Sequence, residues 1–291
     1  MITAAQVKEL RERTGAGMME CKKALADSDG NMERAIEVLR KSGRAKADKR
    51  AGRVAAEGVV IAQVSADGTQ VILVEVNSET DFVARDVHFL EFARQVAHAA
   101  LAAGVHDVNK LAALPASTGQ TLEEVRQGLV AKVGENIQVR RLAYIQSPHT
   151  VGMYVHGDRI GVIVELEGGS KDLAKDIAMH VAASKPLVVT PEAVSAELIQ
   201  KEKEIYLAQA ASSGKPPEIV EKMVQGRLKK YLDEVSLVGQ PFVKDPNITV
   251  GALLNKHRAK VMTFTRFEAG EGIEKVTEDF AEAVMSQVQG G

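Results

Sequence analysis

A chain of 291 residues with a formal net charge of −2 has no global electrostatic attraction for nucleic acid or an anionic membrane. At 45% hydrophobic and 26% charged residues it reads as globular rather than disordered, and with 4% aromatics and no Trp its core must be built from Val, Leu, Ile and Ala. The single cysteine, Cys21, excludes an internal disulfide, no apolar stretch reaches the roughly 20 residues of a membrane span, and the N-terminus lacks a signal-peptide core, so the expected location is cytoplasmic.

Residues 3–42 read as three short helices. Thr3 and Gln6 have the spacing of a capping box, and Gly15 stops the first helix. MMECKKALAD forms the second, closed by Gly30; Asn31 caps the third, MERAIEVLRK, which Gly43 is expected to end. A bundle this small suits partner binding better than catalysis. The next run, GRAKADKRAGR, holds five basic residues and no apolar period. With no aromatic interleaved for base stacking, it reads as a solvated linker rather than a nucleic-acid patch.

Two similar β-α units follow. The first has strands GVVIAQV and QVILVEV around an Asp67-Gly68 turn, then helix EFARQVAHAAL. The second has NIQVRRLAYI, VGMYV, a turn at His156-Gly157-Asp158, RIGVIVEL and helix DLAKDIAMHVAA. When Glu75 is aligned with Glu165 and Ala93 with Ala174, the first unit is nine residues longer, and the excess is SETDFVARD. A single helix from Asp81 would bury Phe82 beside Phe89 and Val96, but would set Asp86 in its apolar arc. Starting the main helix at Asp86 as N-cap instead frees Thr80 to Arg85. The residues alone leave both placements of Phe82 open, and the nine-residue excess favours the exposed one.

Further on, Thr190-Pro191-Glu192 predicts a capped helix start. Two long helical stretches separated by SSGKPP form an antiparallel hairpin with an apolar stripe of Val194, Leu198 and Ile205 against Val220, Val224, Leu228 and Tyr231. The hairpin interrupts the second unit, because strand-like VMTFTRFEA returns at residues 261–269; KVTEDFAEAVMSQV predicts a last helix. The fold class is α+β with antiparallel strands.

Catalytic signatures are missing. There is no GxxxxGK[ST] loop, and TGAGMM follows a helical pattern rather than a strand. The seven histidines include no HExxH; His98 and His180 are expected partly buried, and His156 exposed as a contact residue. Cys21 reads as a packing residue, and no serine lies in a GxSxG elbow. A binding or regulatory protein without cofactor or metal is expected, rather than an enzyme.

The motifs VKELRERTGAGMMECKKAL, AIEVLRKSG, TDFVARD, MHVAASKP, EVSLVGQPFV and RFEAGEGIEK resemble bacterial elongation factor Ts from the first helix to the last. The resemblance implies a ubiquitin-associated-like three-helix module with its basic linker at 1–55 and a core N-subdomain at 56–140. It further implies a core C-subdomain at 141–268 interrupted by a coiled-coil hairpin at 187–235, and a C-terminal helical module at 269–291. The implied function is guanine-nucleotide exchange on elongation factor Tu, with no direct nucleic-acid or membrane contact and with the hairpin as a candidate for self-association. The family's TDFV motif falls on Thr80, Asp81, Phe82 and Val83. By resemblance, Phe82 wedges into the partner GTPase and Asp81 disturbs the surroundings of the nucleotide's Mg2+. The remaining partner contacts map onto Met18, Met19, Val133, Gly134, His156 and Val243. Glu20 and Lys244-Asp245 depart from the family pattern. The competing reading, from another class, is a ribosome- or RNA-associated adaptor using basic residues 43–53, against which the net charge argues.

Overall fold

The computed structural model describes residues 2–211 and 216–274. Helices and small sheets mix in an α+β arrangement, and the chain divides into two compact units. No helix among the described residues is long and apolar enough to cross a membrane.

The first unit contains residues 2–59, 74–142 and 268–274. It opens on α1 (Ala4–Thr14), α2 (Met18–Asp27) and α3 (Met32–Arg50). The capping box between Thr3 and Gln6 forms in both directions, Gly15 closes α1 in the left-handed region at φ 69°, and Asn31 caps α3. Leu10, Cys21, Ala24, Leu25 and Ala35 close a small core, which makes Cys21 a packing residue as expected.

Two expectations fail in α3. Gly43 does not end it, and residues 43–50 are not a free linker, because the helix continues to Arg50. Gly43 and Ala47 are buried one turn apart, and Gly43 lies against Gln127 and Ala131 of a later helix. That packing outweighs the cost of about 1 kcal/mol for glycine inside a helix.

Strands β1 (Glu57–Val64) and β2 (Gln70–Ser78) lead to the single turn α4 (Asp81–Ala84) and to α5 (Val87–Ala103). After a short 3-10 turn, α6 (Leu122–Val133) receives α3 and leads to β3 (Ile137–Gln146). The strand order is β1-β2-β3, so β3 joins the sheet of β2, not the second unit's strands with which sequence order had grouped it. The reason is charge as much as shape. Fully buried Glu75 on β2 accepts hydrogen bonds from Arg140 Nη1 at 3.0 Å, Asn77 Nδ2 at 3.0 Å and Gly270 N at 2.8 Å, and pairs with Arg141 Nε. β3 brings both arginines to that carboxylate. Along α5, Phe89, Phe92, Ala93, Val96, Ala97 and Ala100 face inward. His98 falls off this stripe and is exposed, contrary to expectation.

The second unit contains residues 60–73 and 143–267. β4 (Thr150–His156) and β5 (Ile160–Glu167) pair antiparallel with Thr150 opposite Leu166 and His156 opposite Ile160. α7 (Lys171–Ser184) packs on both strands. Gly152 permits the approach, since a Cβ there would lie 2.6 Å from Ala174 Cβ. α8 (Ala196–Ala211) and α9 (Pro217–Val235) make the helical hairpin, followed by β6 (Pro241–Phe242), β7 (Asp245–Thr249), α10 (Val250–Lys256) and β8 (Lys260–Glu268). The order β4-β5-β8 returns the last strand to the second sheet, as the reappearance of VMTFTRFEA predicts.

Two details of the hairpin differ. Pro191–Ala193 is a 3-10 turn without a side-chain cap from Thr190, and α8 starts after Ser195, whose Oγ accepts from Leu198 N at 3.3 Å. Val194 and Val224 are buried as expected, but Ile205 is 40% exposed. The half-buried to buried positions of α8 are Leu198, Ile199, Glu202, Tyr206 and Ala210, a stripe at spacings of three and four that passes Ile205 by. The expected helix KVTEDFAEAVMSQV, most of the 269–291 module, and the SSGK of the interhelical break lie outside the described residues.

Candidate partner-binding site

The TDFV stretch occupies the link between β2 and α5. Thr80 caps α4, its Oγ1 accepting from Val83 N at 3.3 Å, and Ser78 Oγ donates to Thr80 O at 3.0 Å. A second cap follows at once: Asp86 Oδ1 accepts from His88 N at 2.8 Å and Phe89 N at 3.3 Å and starts α5. Two caps in series turn the chain, and the consequence for the side chains is decisive. Ala84 is buried and Val83 half-buried, while Phe82 stands 83% exposed. The exposed alternative of the two sequence readings is therefore the one the fold adopts. Asp81 beside it pairs with Arg85 at 3.1 Å across one helical turn. Arg85 is mostly in solvent, so this pair is weak and Asp81 is available to another partner.

Val133 and Gly134 lie at the end of α6, where Gly134 takes φ 84° and puts its N–H on Val130 O. The next two residues reach the TDFV turn. Glu135 accepts from Thr80 N at 3.0 Å and from Thr80 Oγ1 at 2.6 Å. In the reverse sense, Glu79 Oε1 accepts from Asn136 N at 2.6 Å, and Asn136 Nδ2 donates to Arg53 O at 2.7 Å. The structure thus brings the TDFV turn and the Val133-Gly134 corner into one block. The bonds made by Glu79, Glu135 and Asn136 were not legible in the sequence, because nothing local announces a contact across 55 residues. Val87, directly after the Asp86 cap, is 64% exposed beside this turn.

Met18 and Met19 open α2 and are 59% and 72% exposed, while Cys21, Ala24 and Leu25 of the same helix point inward. His156 and Val243 belong to the second unit. His156 is exposed at the end of β4, with its Nδ1 at 3.1 Å from the Tyr154 hydroxyl. Val243, 43% exposed, follows β6 and donates its N–H to His180 Nδ1 at 3.1 Å. His180 is fully buried, and its other nitrogen meets Gln240 Oε1 at 2.9 Å, so the neutral ring carries its proton on Nε2. Burial pushes its pKa below the ordinary histidine value, against an opposing push from Gln240. His180 is thus the internal support of an exposed loop.

The family model for Elongation factor TS matches residues 79–271, starting at this turn. The chain is 60% identical over 291 residues to the Elongation factor Ts of Thioalkalivibrio sulfidiphilus, with 99% of each chain covered. It is 59% identical over 287 residues to that of Idiomarina loihiensis, covering 99% of this chain and 97% of the other. To that of Legionella pneumophila strain Paris it is 56% identical over 288 residues, with 99% of each covered. An exposed aromatic-acid pair on a doubly capped turn, inside a chain that aligns almost end to end with these relatives, places it firmly: the chain belongs to the elongation factor Ts family.

Proposed function

We infer that this chain is a guanine-nucleotide exchange factor that binds elongation factor Tu carrying GDP and promotes release of the nucleotide during translation elongation. The observation that carries the site assignment is Phe82, a large apolar ring 83% exposed on a turn fixed from both sides. An exposed ring on a rigid mount contributes nothing to this chain's own core; it is suited to enter another protein.

The mechanism is linkage, not covalent chemistry, and on this reading the chain is not an enzyme. A factor that binds the GTPase more tightly when nucleotide and Mg2+ are absent must weaken nucleotide binding reciprocally, by a coupling of roughly 1–3 kcal/mol or more. Phe82 supplies the apolar wedge. Asp81, released from Arg85, sets a carboxylate where it perturbs the water and ligand geometry of a hard cation. Met18, Met19, Val133 and Gly134, with His156 and Val243, extend the contact. The finer architecture belongs to the same reading: a ubiquitin-associated-like module over 1–55, subdomains meeting at residues 140–141, and a coiled-coil insertion over 187–235. Less favoured is the adaptor alternative: Gly43 and Ala47 of the basic run pack as part of α3, and Lys46 pairs with Glu20 and Arg53 with Glu79.

The test is release of fluorescent GDP from purified elongation factor Tu. Substoichiometric chain is expected to accelerate release in the presence of Mg2+; an unchanged rate would reject the assignment.

A further inference from the structure

The reciprocal bonds between residues 79–80 and 135–136 point to a role for side chains that brace the turn. α4 is a single turn, far shorter than a helix that holds itself in water. Its N-cap hydroxyl does two jobs: Thr80 Oγ1 accepts from Val83 N and donates to Glu135 Oε1. The carboxylate that takes this proton also takes the Thr80 N–H, so both donors of residue 80 end on one group. Glu135 thereby fixes the direction of the Thr80 lone pair that caps α4. The opposite arm repeats the pattern, with the Asn136 N–H on Glu79 and the Asn136 amide on the carbonyls of Ala51 and Arg53. Glu79 is also paired with Arg53 at 3.5 Å. Charge-assisted bonds of this kind are the stronger class, and here they converge on the one turn that carries Phe82 and Asp81.

We propose that Glu135 is a positioning residue for nucleotide exchange, holding the α4 turn in its binding-competent form through Thr80 so that Phe82 and Asp81 meet the GTPase preorganised. This rests on the exchange-factor reading of the TDFV turn and adds a residue that acts only through it. Loss of the carboxylate leaves the turn sampling other conformations, and activity falls by the fraction of time the competent one is lost. From the strength of hydrogen bonds to charged groups, Glu135→Ala is expected to lower GDP release by roughly tenfold. Glu135→Gln keeps an acceptor for Thr80 N but has no second oxygen to accept from Thr80 Oγ1, so it is expected to fall between the parent and Glu135→Ala.

The deciding experiment is a double-mutant cycle on GDP release from elongation factor Tu, with Phe82→Ala and Glu135→Ala singly and combined, each checked for folding by thermal melt. If Glu135 acts through the turn, its substitution costs clearly less in the Phe82→Ala background than in the parent, the remainder being the part carried by Asp81. Additive losses would overturn the proposal and make Glu135 an independent contact or a fold determinant. So would a Glu135→Ala variant that folds and releases GDP at the parental rate. An unaffected Phe82→Ala would sink the wedge reading itself, a different failure from additivity. Should Glu135→Ala fail to fold, the same cycle with Thr80→Val, which removes both the cap of α4 and the hydroxyl bond to Glu135, decides by the same additivity criterion.

Discussion

Replacing Phe82 by alanine separates folding from function in one step. The ring is 83% exposed, so its truncation leaves no cavity, and the stability change should stay within about 0.5 kcal/mol, as for ordinary surface sites. The functional effect follows from the same exposure. Fully burying a Phe side chain is worth about 1.5–3 kcal/mol, and nearly all of that remains available for a partner to collect. A loss of about 2 kcal/mol corresponds to about 30-fold in the concentration-dependent acceleration of GDP release. Stopped-flow release of fluorescent GDP from elongation factor Tu, at increasing concentrations of parent and variant, measures it, with a thermal melt as the folding control. Release within twofold of the parent, from a variant that melts normally, would refute the wedge.

Three further outcomes are expected. Asp81→Ala should slow GDP release in Mg2+ but much less in excess EDTA, where the cation is already gone; equal defects in both buffers would contradict a metal-linked role. Glu75→Gln should destabilise by about 2–3 kcal/mol in urea at neutral pH, at the low end for a broken buried pair because Arg140 and Arg141 retain some solvent. Burial raises the Glu75 pKa, but donors from Gly270, Asn77, Arg140 and Arg141 outweigh it and hold it below the usual carboxylate range. The carboxylate's stabilisation is therefore complete above about pH 4.3, and the parent's lead over Glu75→Gln should shrink as pH falls below that. For His180, whose folded pKa is depressed chiefly by burial, stabilisation by the neutral ring is present above about pH 6.5 and is lost as pH falls below it. Urea midpoints of the parent should fall between pH 7.5 and 5.5 more than those of His180→Gln; parallel slopes would remove His180 from the pH dependence.

What the sequence settled was local. The Thr3-Gln6 box, the Asn31 cap and the Asp86 cap are bonds over two or three residues, and each is present as its spacing predicts. The excess of SETDFVARD over its twin marked the exposed turn, and the return of a strand after the hairpin placed β8 correctly, because alternation and repeat lengths are written in the chain itself. The family motifs named the same turn and its target. Tertiary structure decided what depends on distant partners. Gly43 reads as a stop until Gln127 and Ala131 pack against it. β3 reads as part of the next unit until Glu75 is seen to need Arg140 and Arg141. The residues bonded across the TDFV turn, Glu79 and Glu135, look like solvated surface acids in sequence, since a carboxylate shows its partners only when the fold brings a donor to it from more than fifty positions away.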